Sequence, residues 1–286
     1  MTKPEILSAL TTPFHPDGSL DIAGFRRNIN VLAPLLDGVF VAGTTGEFHA
    51  LTVSEHASLV ECCLTVFGAE RTVVHVGAPS TLQSLELTRQ SVSLGAQRFA
   101  AITPYYLPAS IDGIVRHWGA IREACEGELY GYIFPDVAVT DILPRDLPQV
   151  LESGISGIKV SARASARVLE YLNNAPAGFK LWSGNDADIP ATIAAGGTGS
   201  VSGVSGACPH LWAELSSAME SGDQPAIAAV QERIEQTVAV LGPSIANIKW
   251  ALDLQGRAGG TCRMSIDPPD AATRDLISSV ITLTHS

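Results

Sequence analysis

Lys159 closes the apolar run Ile155-Ser156-Gly157-Ile158 in a chain with only four lysines (Lys3, Lys159, Lys180 and Lys249) against fourteen arginines. Burial at such a position disfavours the ammonium form and frees an amine to attack a carbonyl carbon. The alternative use of the residue is to lay its stem along apolar surface and keep its head in water. Lys180 is the competing amine. It lies further from the end of its own run, Phe179–Trp182, either deeper in or facing the covering helices.

Other groups suited to such chemistry recur after similar runs. Tyr130-Gly131-Tyr132-Ile133-Phe134-Pro135 supplies a phenol that could move protons during imine formation, although a packed tyrosine with a satisfied hydroxyl is the commoner use. Thr103-Pro104-Tyr105-Tyr106 is a second source of phenols. In Ala42-Gly43-Thr44-Thr45-Gly46-Glu47, two glycines around paired threonines make a tight loop whose amides and hydroxyls can converge on a small carboxylate. An ordinary turn uses the same residue types. The glycine-rich stretch 196–203 lies where barrels often hold phosphate. It has no lysine or arginine beside it, so close backbone packing explains it better.

These residues need a frame. Eight β-rich runs recur along the chain: Ile6–Leu10, Gly38–Ala42, Thr72–Val76, Arg98–Ile102, Leu129–Ile133, Ile155–Lys159, Phe179–Trp182 and Gly199–Ser202. Their near-continuous apolar character suits parallel strands covered on both faces. Helical patterns lie between them. Thr52 and Glu55 have capping-box spacing, Ser110 and Asp21 sit at N-cap positions, and weaker helices are expected near 144–152 and 164–173. Strand and helix alternating eight times predicts an α/β fold, a closed parallel (β/α)8 TIM barrel over residues 1–222. Residues 223–286 read as a C-terminal helical extension packed on the barrel, with helices over Ala226–Leu241, Ser244–Leu254 and Asp270–Thr284.

Bulk properties narrow the classes. Of 286 residues, 46% are hydrophobic and 16% charged, enough for a large core. A net charge of −11 argues against nucleic acid as partner, because no basic surplus exists to neutralise phosphates. The N-terminus lacks the basic start and long apolar run of a secretion signal, and no apolar stretch is long enough to span a membrane. Five cysteines without CxxC spacing read as reduced thiols, so a cytoplasmic location is expected. Seven histidines without ligand spacing argue against a metal site.

Taken together, Gly-Thr-Thr-Gly-Glu at 43–47, Thr-Pro-Tyr-Tyr at 103–106, Tyr-Ile-Phe-Pro at 132–135 and Gly-Ile-Lys at 157–159 resemble the dihydrodipicolinate synthase/N-acetylneuraminate lyase family. The resemblance covers roughly residues 5–220. It implies a class I pyruvate aldolase or lyase in which Lys159 forms the imine and Tyr132 relays protons. Thr44 and Thr45 would hold the pyruvate carboxylate, with a threonine hydroxyl joining the relay. Val201 would offer a backbone carbonyl near the bound pyruvate. Tyr106 would reach into a neighbouring subunit of a homotetramer, a dimer of dimers. No metal or dissociable cofactor is implied; the partners are pyruvate and an aldehyde.

Two departures from the family pattern bear on the second substrate. Synthase members of the family carry Tyr-Asn-x-Pro and then an arginine that grips the aldehyde's carboxylate; here Ile133 replaces the Asn and Val137 stands at the arginine position. Losing such a cation should cost about 2–5 kcal/mol of binding. Neuraminate lyases carry an acidic pair after strand seven, whereas Gly184-Asn185-Asp186-Ala187 keeps one acid. With Ser161, these groups favour a hydroxylated aldehyde fragment and a 2-oxo-3-deoxy acid as product or substrate. Arg163 could supply a carboxylate contact from another direction or could be a solvated loop residue. The alternatives are a 4-hydroxy-tetrahydrodipicolinate synthase, a related sugar-acid dehydratase, and an inactive 2-oxo-acid-binding barrel.

Overall fold

The eight apolar runs become eight parallel strands, each overlapping the run that predicted it: β1 Glu5–Ala9, β2 Gly38–Val41, β3 Thr72–His75, β4 Arg98–Ile102, β5 Glu128–Ile133, β6 Gly157–Val160, β7 Lys180–Ser183 and β8 Gly199–Ser202. The computed structural model describes residues 3–285, so Met1, Thr2 and Ser286 of the two sequence segments lie outside the described residues. The strands follow one another in chain order around a closed barrel. Helices intervene or follow: α1 Ile22–Leu32, α2 Val53–Phe67, α3 Thr81–Ser93, α4 Ile111–Glu123, α5 Pro135–Ala138, α6 Leu147–Val150, α7 Val168–Asn173, α8 Ile189–Ala194, α9 Pro209–Ser221, α10 Gln224–Leu241, α11 Ile245–Leu254 and α12 Ala271–His285. The fold is a (β/α)8 TIM barrel with C-terminal helices.

The helix starts follow their capping chemistry. Asp21 accepts the Gly24 amide and Ser110 the Gly113 amide, while Thr52 and Glu55 complete a reciprocal capping box. Each such cap contributes about 1 kcal/mol. The segments near 144–152 and 164–173 are broken into short α and 3-10 turns. Pro144 and Pro148 are the reason in the first, since proline lacks an amide and fits only the opening turn of a helix.

Chain contacts separate two compact units, residues 69–201 on one hand and residues 1–68 with 202–286 on the other. Within 69–201 the strand register fixes which side chains share a face. One row runs His75, Ala100, Tyr130, Gly157, Lys180; the next runs Ile102, Tyr132, Lys159, Trp182, Gly199. The opposite face is covered by helices, as Gly131 demonstrates: a Cβ there would lie 2.6 Å from the ring of Trp118 on α4. Tyr132 and Lys159 therefore point to the barrel interior.

At the strand starts of the same unit, the interior is closed by a polar network. Arg98 Nε donates to the Tyr130 hydroxyl (3.1 Å), which donates to Glu128 (2.6 Å), and Lys180 Nζ donates to both Glu128 oxygens at 2.7 and 2.9 Å. The Arg98 guanidinium also stacks 5.8 Å from the Trp182 ring centroid.

In the other unit, α11 and the loop that follows it are tied to the segment after β2 by two ion pairs. Lys249 on α11 meets Glu47, and Arg263 meets Glu55 in the first turn of α2. The Arg263 guanidinium holds the Glu55 carboxyl down to about 2, and it donates also to the carbonyls of Ala50 and Gly18. Among the described residues, no helix is long and apolar enough to cross a membrane.

Candidate active site

In a closed parallel barrel, the strand ends gather at one mouth, where loops supply chemistry. Lys159 is the third of four residues in β6 and is 5% exposed; Tyr132, its register partner on β5, is 1% exposed. Lys159 Nζ lies 4.0 Å from the centroid of the Tyr132 ring, so the amine rests on the face of the phenol. Phe134 and His75 bracket that ring, with centroids 6.0 and 6.1 Å away. The His75 imidazole is itself fixed, because its Nε2 accepts the Ile102 amide at 3.2 Å. An amide can only donate, so any ring hydrogen of neutral His75 sits on Nδ1.

Lys180 does not compete. It opens β7 at the other end of the strand from the mouth and spends its charge on Glu128. Burial raises the Tyr130 phenol well above its usual range, which keeps that hydroxyl a neutral link in the network.

Beyond β6 and β7, Ser161 and Gly184 approach closely. A Cβ at Gly184 would come 2.5 Å from Ser161 Oγ, so only glycine leaves that hydroxyl where it is. Asp186 is buried and accepts the Ser200 hydroxyl at 3.0 Å. Val201, buried in β8, shares the inward face with Gly199 two residues before it.

Residues after β5 leave the expected cation position apolar. Val137 is half exposed, and the nearby acids already face Arg163: its amide donates to Asp136 and its Nε is 3.9 Å from Asp141, which Arg167 holds at 2.7 Å. Arg163 is a largely solvated loop residue. Tyr105 is half buried, while Tyr106 is 85% exposed and its backbone lies in the left-handed region (φ 76°).

The loop after β2 belongs to the other unit. Thr44-Thr45-Gly46 form a 3-10 turn between Gly43 and Glu47. Ala42 and Glu47, both at φ 54°, bracket it, each at a cost of about 1–2 kcal/mol for a residue with a Cβ. The Gly46 carbonyl accepts the Thr12 hydroxyl at 2.8 Å, and a Cβ at Gly203 would come 3.2 Å from both Oγ1 and Cγ2 of Thr45. The Thr12 hydroxyl thus holds the backbone of the turn, and Gly203 leaves room for the Thr45 side chain.

One signal was not visible in the sequence. Among the described residues, the non-glycine positions at positive φ are Ala42, Glu47, Tyr106, Val139 and Ala162, and all follow the ends of β2, β4, β5 or β6. Strained backbone persists where surrounding structure enforces it, and it gathers at functional sites. No three His, Cys, Asp or Glu side chains converge as a metal site requires, among the described residues.

Comparison with known proteins agrees with this geometry. The family model described as the dihydrodipicolinate synthetase family matches residues 3–283. A 4-hydroxy-tetrahydrodipicolinate synthase of Methylibium petroleiphilum is 31% identical over 274 residues, covering 94% of each chain. Another from Gluconacetobacter diazotrophicus is 31% identical, covering 96% of this chain and 95% of the relative. Among solved structures, a Thermotoga maritima dihydrodipicolinate synthase superposes with a TM-score of 0.91 at 25% identity, covering 100% of this chain and 99% of that one. A sialic acid aldolase of Ruminococcus gnavus reaches 0.91 at 20% identity, covering 99% and 96%, a likeness of fold alone.

Proposed function

This chain belongs to the dihydrodipicolinate synthetase family, and from that premise we propose that it is a Schiff-base pyruvate aldolase or lyase that reversibly joins pyruvate to an aldehyde. The observation that carries the reading is the amine of Lys159 seated 4.0 Å over the Tyr132 ring on the interior face of the barrel. In the proposed reaction Lys159 adds to the keto carbon of pyruvate and water departs, leaving a cationic imine. That charge draws electrons from the adjacent carbon, which then loses a proton or releases an aldehyde. Tyr132 moves the proton in either direction. Thr44 and Thr45 hold the carboxylate, Thr45 also joining the relay through its hydroxyl, and the Val201 carbonyl faces the bound acid. No metal or dissociable cofactor enters these steps.

The favoured second substrate is a hydroxylated aldehyde, making the other reactant a 2-oxo-3-deoxy acid. Support comes from Ser161 beside Gly184, whose hydroxyl can meet another, and from the apolar Val137 among acids, whereas Asp186 already accepts the Ser200 hydroxyl. A second reading, synthesis of 4-hydroxy-tetrahydrodipicolinate from aspartate semialdehyde, is favoured by the names of the relatives. Borohydride reduction in the presence of pyruvate tests the shared chemistry: the mass of one reduced pyruvate on Lys159 is expected, and an unmodified chain would reject it. Turnover of hydroxyaldehydes against aspartate semialdehyde then separates the two readings.

The same reading makes the protein a cytoplasmic homotetramer in which Tyr106 reaches a neighbouring subunit's site. Its support is the exposure of Tyr106 and Leu107, 85% and 70%, which a subunit contact would cover. Sedimentation equilibrium on Tyr106→Ala against the parent chain tests it.

A further inference from the structure

Glu47 and Lys249 stand 202 positions apart, yet Lys249 Nζ donates to Glu47 Oε1 at 2.6 Å with side-chain exposures of 2% and 0%. The second carboxylate oxygen accepts the amides of Arg263 (2.8 Å) and Met264 (2.7 Å), and Lys249 also donates to the Thr261 carbonyl at 2.6 Å. Both oxygens of Glu47 are thus engaged by the chain itself, which leaves the carboxylate no part in handling a substrate. Its backbone, however, is the left-handed residue that ends the Thr44–Gly46 turn, and its amide donates to the Thr44 carbonyl at 3.0 Å. A left-handed non-glycine residue is kept only where its surroundings over-determine it, and here the carboxylate clamp does so.

We propose that Glu47 and Lys249 are positioning residues: the pair locks the turn that aims Thr44 and Thr45, and so makes α11 and the segment 261–264 part of the substrate-binding apparatus. The inference rests on the reading of those threonines as the holders of the pyruvate carboxylate. A pair serving stability alone would be dispensable, because replacing both members of a buried ion pair with neutral groups of similar volume is often tolerated. A pair that fixes the turn is not dispensable, because a loosened loop weakens its hold on the carboxylate before it affects chemistry at the lysine.

The experiment compares the parent chain with the double variant Glu47→Gln/Lys249→Met, which removes both charges together. The pyruvate concentration giving half-maximal borohydride trapping at Lys159 should rise about tenfold or more, with the maximum extent of trapping unchanged. Thermal unfolding should remain cooperative. Amide hydrogen exchange should quicken at residues 43–50 and stay as in the parent across 157–160. Half-saturation within twofold of the parent in a folded variant overturns the proposal, as does unchanged exchange at 43–50. Should the double variant not fold, the same two readouts on Glu47→Gln alone decide with the same thresholds. A parent chain that traps no pyruvate retires the Schiff-base reading instead, and the exchange rates then still decide whether the pair holds the turn.

Discussion

Lys159 and Tyr132 are register partners on adjacent strands, and the amine nitrogen of one lies 4.0 Å from the ring centre of the other. A neighbouring pair of this kind is rigid to the extent that its strands are. Tyr132→Phe keeps the ring and its packing and removes only the hydroxyl. The variant is expected to fold as the parent does and still to be trapped by borohydride with pyruvate. Its turnover should fall about 10²–10⁴-fold, the usual contribution of a positioned proton carrier. Retention of more than a tenth of parent turnover would remove Tyr132 from the relay.

The two strand-borne lysines should behave oppositely. Lys159→Met abolishes the pyruvate adduct. Lys180→Met leaves the adduct intact and lowers stability by up to about 1 kcal/mol, because its partner Glu128 is partly exposed and solvent screens the pair. Intact mass after reduction, with chemical denaturation alongside, reads both.

Gly203 tests the threonine turn without touching it. A methyl at this position would press on Thr45 at 3.2 Å. Gly203→Ala is expected to raise half-saturating pyruvate several-fold, and Thr45→Val to raise it about tenfold, the loss of one hydrogen bond to a charged group. Equal pyruvate affinity in both variants would detach this loop from the carboxylate.

His117 on α4 is expected to make stability fall in mild acid. Its Nδ1 pairs with the Thr81 hydroxyl at 3.0 Å, its Nε2 is buried without a partner, and burial lowers its pKa to about 4 from 6.5. The unfolded chain therefore binds the proton first as pH falls. The stabilising contribution is whole above pH 6.5 and is lost progressively down to about pH 4, on the order of 3 kcal/mol in all. Denaturation of the parent chain and His117→Gln between pH 7 and 4.5 should show this slope in the parent and much less in the variant. The Glu55 carboxyl, held at about 2, adds its own loss only below about pH 4.5, so the two effects separate.

The barrel was legible because its strands announce themselves as short apolar runs and its helices as capping residues at fixed offsets. Lys159 and Tyr132 were legible for a related reason, since each lies near the end of such a run and the strand register of the fold does the rest. The clamp on Glu47 was not. Its partners come from positions 249, 263 and 264, and no local pattern couples residues so distant in sequence. Likewise the left-handed residues Val139 and Ala162 carry no signature in their side chains. Nothing in the sequence sets His75 apart from its apolar neighbours, and only the fold brings its ring to the Ile102 amide. Nor does the sequence distinguish Tyr105, which is half buried, from Tyr106, which is 85% exposed on a left-handed backbone.

Arg98, Tyr130, Glu128 and Lys180 settle their charges among themselves at the starts of their strands, while Lys159 and the residues near Ser161 and Gly184 lie towards the other ends. The network and the residues proposed to choose the aldehyde thus occupy different tiers of the same strands. Libraries that vary the upper tier can be searched for new carbon–carbon bonds at little risk to the foundation, which gives this scaffold room for retooling that a single mixed layer would deny.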